Sequence, residues 1–485
     1  MRDDDRRGAR RTTVRRPPRG AVELGPRLEN GRQVLKTRAE RFAIGEAMRR
    51  QCPRSSHAHW VPADDRDPVR MVEEGDAGRI PELVPLRHGR MLISPFTFYR
   101  GSALQMASDL AGTPTSGIRV QACGDAHLGN FRGFATPERR IVFDIHDLDE
   151  TLPAPWEWDL KRLATSFVVA CRDNGLGKDV AEEAVLMCVG SYRRHMIEFS
   201  EMPVLELWYA RLEADDLIED IQNPQLRKRV EKRVAREKSR SALEHDFPKL
   251  TTTVGEGAII RDARPTIYHW KTDRQFDDVI REGFAKYRET LTPDRRQLID
   301  HYSIQDIAIK VVGVGSVGTV CAIILLMAGE DEPLFLQLKE ARSSVLEPYA
   351  GASVFPNHGQ RVVAGHRLMQ SASDIFLGWT AGRREIGRHF YVRQLRDAKI
   401  KPVIEGWGGE EMAVYAEWCG HSLARSHARS GDPAMIAGYL GKSEVFDAAM
   451  VAFTAAYADQ TERDHAALRK AARQKKIDVT IERGD

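Results

Sequence analysis

Apolar residues recur at helical spacing over most of the chain. Leu35, Ala39, Phe42, Ala43, Ala47 and Met48 predict an amphipathic helix over 33–51, and Leu160, Leu163, Ala164, Phe167 and Cys171 form one helical face that stops at Asn174-Gly175. A further buried helix is predicted over 177–200, a charge-dense helical stretch with a solvated face over 211–248, and two helices over 274–304 separated by Thr292-Pro293-Asp294. Residues 359–376 read as one more helix and 409–475 as a C-terminal helical block. Residues 52–90, rich in Pro, Asp and Arg, read as irregular. The apolar run 91–101 reads as a short strand leading into a helix over SALQMASDLAG.

Strand patterns are fewer. Ile141-Val142-Phe143 is β-branched and aromatic, 389–399 reads as a strand pair or hinge, and 307–341 holds a longer arrangement. In that last stretch 311–329 carries no charge, which meets the length test for a membrane span. Four glycines with Ser316 and Thr319 interrupt it, and no second such run exists, so no span is expected. A dinucleotide-binding reading of Gly313-x-Gly315-x-x-Gly318 fails because the β-branched TVCAIILL follows where a helix should open. A strand, a glycine turn, a second strand, a turn at Asp331-Glu332-Pro333 and a third strand over 334–338 ending in Lys339 fit the pattern.

Composition narrows the class. The 485 residues are 42% hydrophobic and 29% charged, as in a soluble globular protein, and a formal net charge of +3 gives no reason to expect a nucleic-acid partner. Six cysteines without CxxC or zinc spacing suit reduced thiols in a cytoplasm. Residues 1–32, with ten arginines and almost no large apolar groups, read as a disordered basic arm, and no apolar segment follows to make them a signal peptide.

Candidate chemistry gathers in 119–165. Gly124-Asp125-Ala126-His127-Leu128-Gly129-Asn130 sets a carboxylate and a carboxamide five positions apart in a glycine-bounded loop. The 141–143 strand then ends in Asp144, Asp147, Asp149 and Glu150. Four carboxylates within seven residues repel one another unless a cation or several hydrogen-bond donors neutralise them. Phosphoryl transfer on Mg-ATP needs this order: Asp125 as the base, Asn130 and Asp147 as magnesium ligands, and Asp149 on a second metal or ordering the loop. The 313–318 loop, through Gly313, Gly315, Ser316 and Gly318, would cradle the ATP phosphates with Lys339. Glu347, or alternatively Glu340, is the candidate partner of Lys339. Arg100, in an Arg-Gly turn before a helix, is a candidate anion contact. His127 reads as a structural hydrogen-bonder, and His421 and His427, six apart, as core or surface residues.

The catalytic stretch resembles the aminoglycoside and choline phosphotransferase branch of kinase-like folds, whose pattern is G-D-x-H-x-x-N, a strand, an Asp-containing loop and a D-L-A helix start. Asp147 lies twelve residues before Asp159, which is why Asp147 rather than Asp144 takes the metal position. The resemblance implies that Asp159 clasps the catalytic-loop backbone. It departs from that pattern in Cys123, where a His is usual, in the D-L-D of 147–149, and in order, since the glycine loop follows the catalytic loop. From about 70 to 470 the chain also resembles the bacterial domain of unknown function 2252 family, through FYRGSALQMASDLAG, GDAHLGNF, FDIHDLDETLPAPWEWDLKRLA, KVVGVGSVGT, LQLKEA, FYVRQLRDAK and LARSHARSGD.

The expectation is an α+β, two-lobed, protein-kinase-like fold, circularly permuted. A helix-rich lobe over 33–304 carries the catalytic loop and metal site, and a small β-containing lobe over 305–400 carries the glycine loop. Helices of 401–475 pack on the large lobe, and 476–485 form a tail. The expected function is an ATP- and Mg²⁺-dependent phosphotransferase acting on a hydroxylated small molecule or a protein side chain. The alternatives are a nucleotide-binding regulator without turnover and a metal-dependent phosphohydrolase. The second lacks its GNH motif, because Phe131 follows the only Gly-Asn.

Overall fold

The computed structural model describes residues 27–29, 32–34, 36–238, 247–254, 257–269, 274–329, 332–382, 387–395 and 399–482. The chain forms two compact units, 1–37 and 38–485. In the first, Arg27–Glu29 and Arg32–Val34 pair as antiparallel strands. The rest of the basic arm lies outside the described residues, as do Asp331 of the expected turn, Arg396-Asp397-Ala398 of the expected hinge and the last three residues of the expected tail. The remaining elements belong to the second unit.

A helical body is built on the helices Trp156–Asp173, Lys178–Glu201, Gly409–Ser430 and Val445–Arg473. The predicted stripe Leu160, Leu163, Ala164, Phe167 and Cys171 is wholly buried. Trp156 stacks on Tyr192 with ring centroids 5.5 Å apart, joining the first two helices. Gly420 lets the third approach the second: a Cβ there would lie 2.1 Å from the Cys188 carbonyl oxygen. All six cysteines are free and buried. No helix among the described residues is long and apolar enough to cross a membrane.

Two expectations are corrected. The run 91–101 is helical: Met91 closes the helix Val84–Met91, and Ser94 opens Pro95–Gly101. Thr97 N donates to Ser94 Oγ (3.2 Å), Ser94 N donates to Thr97 Oγ1 (2.9 Å), and Pro95 takes the first turn. This reciprocal cap outweighs the strand preference of the aromatic residues. The 52–90 region, expected as irregular, contains the helix Pro68–Asp76, capped by Asp67 through the amides of Val69 and Arg70.

The uncharged stretch 311–329 is a glycine loop followed by a strand in a six-stranded antiparallel sheet, in agreement with the strand–turn–strand expectation. Its order is Gly378–Ala381, His389–Gln394, Glu332–Ala341, Cys321–Ala328, Ser303–Lys310 and Ile267–Tyr268. One face packs Ile324, Leu326, Leu334 and Leu336 against Ile280, Tyr287, Leu291 and Ile299 from the helices Arg274–Glu289 and Pro293–Ile299 and the turn between them. The opposite face packs Ile323, Leu325 and Phe335 against Leu250 and Ile260. Burial on both faces explains why the central strands read as continuous apolar runs. Period two then puts Gln337 and Lys339 on the Phe335 side of the lysine strand. The helix His358–Met369, capped by Asn357, lies between the lysine strand and the last two strands in sequence.

Candidate functional site

The 123–130 loop is shaped by its backbone. It leaves the strand Arg119–Ala122, which pairs with Leu152–Pro155, and turns at Gly124 with φ +81°. A Cβ at Gly124 would lie 2.5 Å from the Glu150 carbonyl oxygen, so glycine is required both for the turn and for the close approach. Asp159, in the first turn of Trp156–Asp173, accepts hydrogen bonds from the amides of Cys123 (2.5 Å) and Gly124 (2.9 Å), and His427 Nε2 stands 3.1 Å from it. This is the clasp that the phosphotransferase resemblance implied. His127 accepts from the Gly129 amide (3.1 Å) and so has the structural role expected of it.

Asp125 and Asn130 lie together on this loop. Asn130 Nδ2 donates to the Asp125 carbonyl (2.7 Å), which leaves Oδ1 as the acceptor end of the carboxamide. The Asp125 carboxylate receives Arg162 Nε (2.7 Å) and Arg162 Nη2. Burial pushes Asp125 up to about 7, against the pull of Arg162 and with help from Glu150 and Asp147. Arg162 follows Asp159 by three residues, so one helical face delivers both the clasp and the partner of Asp125.

The hairpin of Phe131–Ala135 with Ile141–Ile145 separates the four clustered carboxylates. Asp144 is fully buried and accepts from Arg425 Nη2 (2.8 and 2.9 Å) and from the Ser371 amide (2.7 Å) and hydroxyl (2.8 Å). Glu150 accepts from the Val345 amide (2.8 Å). Asp147 and Asp149 turn instead to Lys339, whose Nζ lies 3.2 Å from Asp147 Oδ1 and 2.7 Å from Asp149 Oδ2. Tyr391, paired with Lys339 in register, donates its hydroxyl to Asp149 Oδ1 (2.5 Å). Ser316 Oγ stands 3.4 Å from Asp149 Oδ2.

Charge is tightly balanced here. Burial alone would raise Asp147, but Lys339, Arg393 and Arg132 hold it well below the usual carboxylate range. Burial and the Asp147 charge push Asp149 up. Burial would lower Lys339, whereas the two aspartates hold its ammonium well above the usual range. Neither glutamate proposed for Lys339 meets it. Glu340 accepts from the Val320 amide (2.9 Å) and Arg388 Nη1 (2.5 Å), and Glu347 accepts from the Ser344 amide (3.2 Å). Strand alternation explains the first, since Glu340 faces opposite to Lys339. In the helix His358–Met369 an arginine faces the site instead: Arg361 donates to the carbonyls of Asp149 (2.8 Å), Thr151 (2.5 Å) and Arg342 (2.8 Å).

The glycine loop is held by its carbonyls. Arg79 donates to Val317 O (2.5 Å) and Gly315 O (2.9 Å), Arg90 to Val312 O (2.6 Å), and the Ile80 amide to Gly318 O (2.7 Å). Asp125, His127, Asn130, Asp147, Asp149, Gly313, Gly315, Ser316 and Lys339 all line one cavity of about 900 Å³. Gly318 does not; it turns with φ +86° against Arg79. Sequence reasoning brought these segments together but missed Arg162, Arg361, Tyr391 and Arg393. Of these, Tyr391 carried a signal, the alternation of FYVRQ.

Among the described residues no three His, Cys, Asp or Glu side chains converge to hold a metal by themselves. Asn130, Asp147 and Asp149 nevertheless line the cavity, and a carboxamide oxygen and two carboxylates are hard oxygen donors. That set suits magnesium, which is bound through one or two carboxylates and completes its shell with water and phosphate.

The family described as uncharacterized protein conserved in bacteria (DUF2252) matches residues 79–471 of the chain. No curated protein matches the chain, and no solved structure does.

Proposed function

Because the chain belongs to the DUF2252 family, whose description names no reaction, we propose its function from its own site: an ATP- and Mg²⁺-dependent phosphotransferase acting on a hydroxyl group. The observation that carries this reading is the ion pairing of Lys339 with Asp147 and Asp149, 192 and 190 residues earlier, over a cavity that also holds Asp125, Asn130 and the glycine loop. In protein kinases the lysine lies on the third strand, the second after the glycine loop, and a metal-binding aspartate faces the same phosphates. Here the order strand, glycine loop, strand, lysine strand, helix is the same. It follows the catalytic loop in the chain instead of preceding it, so we read the molecule as a circularly permuted, two-lobed kinase-like fold.

Each group then has a task. Asn130 Oδ1 and the Asp147 carboxylate would hold Mg²⁺, with Asp149 on a second ion or ordering the loop, and the ion would supply positive charge against the phosphate oxygens. Lys339 binds phosphate oxygens, and the backbone of Gly313, Gly315 and Ser316 approaches them without side-chain obstruction. Asp125 accepts the proton of the attacking hydroxyl. The Arg162 pair on Asp125 favours a second reading, a nucleotide-binding regulator without turnover. That reading predicts nucleotide binding with no Asp125-dependent transfer.

The test is thermal stabilisation by ATP with and without Mg²⁺, in wild type, Lys339→Ala and Asp147→Asn, each against its own ligand-free melting temperature. At 100-fold excess over Kd the expected gain is about 2.7 kcal/mol for wild type with Mg²⁺, lost in both variants. No shift in wild type at any nucleotide concentration would sink the reading.

A further inference from the structure

Resting on the phosphotransferase reading, we propose that the acceptor is itself an anion: a hydroxylated molecule whose phosphate or carboxylate group is bound by Arg100, Arg132 and Lys401 beside Asp125. The three cations come from separate elements and line the same cavity as Asp125. Arg100 ends the helix Pro95–Gly101 and lies between the two loops. Its Nε is 3.9 Å from where a Cβ would stand on Gly129, and its Nη2 is 3.9 Å from the same point on Gly313. Arg132 follows Asn130 by two residues on the hairpin. Lys401 is carried alongside that hairpin, because the preceding Ile400 exchanges backbone hydrogen bonds with Gly133 (2.7 and 3.2 Å).

What sets these three apart is that, among the described residues, none of their side chains is closed into a hydrogen bond or an ion pair. The neighbouring cations are all engaged: Lys339 with two aspartates, Arg162 with Asp125, Arg393 with the His146 carbonyl, and Arg79 with the glycine loop. Among the described residues no acceptor receives the side chain of Arg100, Arg132 or Lys401, and the Nε atoms of both arginines are shut off from solvent without a partner. Lys401 is close enough to be repelled by both arginines, and they by each other. The carboxylates that act most strongly on them are Asp125, Asp147 and Glu405; the first two already have cationic partners, and Glu405 is exposed.

Like charges held together in a partly desolvated cavity are unfavourable unless an anion joins them. The forks of two arginines match the paired oxygens of a phosphate or carboxylate. The site of binding separates this anion from the nucleotide. Arg132 and Lys401 are anchored to the hairpin after the catalytic loop, while Lys339 and the glycine loop serve the ATP phosphates. Choline and the aminoglycosides are cations, which this wall would repel. In the transfer, the acceptor hydroxyl oxygen bonds to the γ-phosphorus as the bond from that phosphorus to the β–γ bridging oxygen breaks. ADP leaves with that electron pair, and the hydroxyl proton goes to Asp125.

The test uses the full chain saturated with the non-hydrolysable nucleotide AMP-PNP and Mg²⁺. Melting temperature is followed on adding glycerol 3-phosphate, glycerate or glycerol at constant ionic strength, in wild type, Arg132→Gln and Lys401→Gln. Lys401 is exposed, so its variant isolates the charge even if Arg132→Gln folds poorly. The expected result is further stabilisation by one or both anions but not by glycerol, with apparent affinity at least tenfold weaker in the variants. Which anion acts distinguishes phosphate from carboxylate. If nucleotide binds but neither anion adds stability, the proposal falls and the phosphotransferase reading stands. Stabilisation only when nucleotide is absent would assign the cations to the ATP phosphates and overturn it. Equal stabilisation in the variants would mark an adventitious ion only. Failure of nucleotide itself to bind would remove both.

Discussion

A carboxylate at the 124–150 site is defined by what it accepts from. Asp144 is surrounded by donors and spent on structure, whereas Asp147 and Asp149 share one lysine and remain on a cavity wall. Asp125 differs again, because burial raises it to about 7, near the value that suits a general base at neutral pH. In the proposed transfer a protonated carboxyl cannot take the acceptor proton, so ATP turnover should climb with pH through about 7. In Asp125→Asn, turnover should drop by about 10²–10⁴ and lose that pH dependence, while Mg-ATP stabilisation persists. Steady-state rates across pH 5.5–8.5, paired with melting curves, check both halves.

Between elements, the decisive contacts are local chemistry at crossing points. The helices Lys178–Glu201 and Gly409–Ser430 meet where His195 and His421 stack with ring centroids 3.5 Å apart. Burial, then His195 and Arg425, lowers His421 from 6.5 to about 3. In the unfolded chain this ring takes a proton as pH falls through 6.5, but in the fold it does so only near 3. Stability is therefore lost progressively as pH drops through that window, at up to about 1.4 kcal/mol per pH unit for this group. His421→Phe should flatten that slope between pH 6.5 and 4 while changing stability at pH 8 little, as denaturant melts at each pH would reveal. The capped helix at 95–101 teaches a related lesson, since a Ser-Pro-x-Thr start decided an apolar segment that periodicity alone read as strand.

For the whole molecule, the C-terminal helices close a structure begun near the N-terminus. Arg425 is fully buried and reaches Asp144 across 281 residues. Replacing it by Met leaves a buried carboxylate with hydroxyl and amide donors only, at a cost of about 3–5 kcal/mol. Adding Asp144→Asn should recover part of that loss, because the stranded charge is gone; equilibrium unfolding of the single and double variants gives the coupling directly. Lys339 plays the matching role at the cavity, joining the six-stranded sheet to the acidic loop of the helical body.

The order of residues alone determined the elements whose cause is local or periodic. Examples are the stripe Leu160 to Cys171, the glycine-bounded loop with Asp125 and Asn130, the glycine turn between strands, and Lys339 at the end of the third. These depend on spacing, which a sequence displays. Tertiary structure decided which charges meet. Glu340 and Glu347 stood nearer to Lys339 in the chain than Asp147 and Asp149 did, yet strand alternation turns Glu340 away and the fold delivers the aspartates. Likewise only packing shows that Asp144 is spent on Arg425, that Arg162 holds Asp125, and that Arg100, Arg132 and Lys401 line one cavity. Ion pairing depends on distance and desolvation, and both are properties of the folded chain.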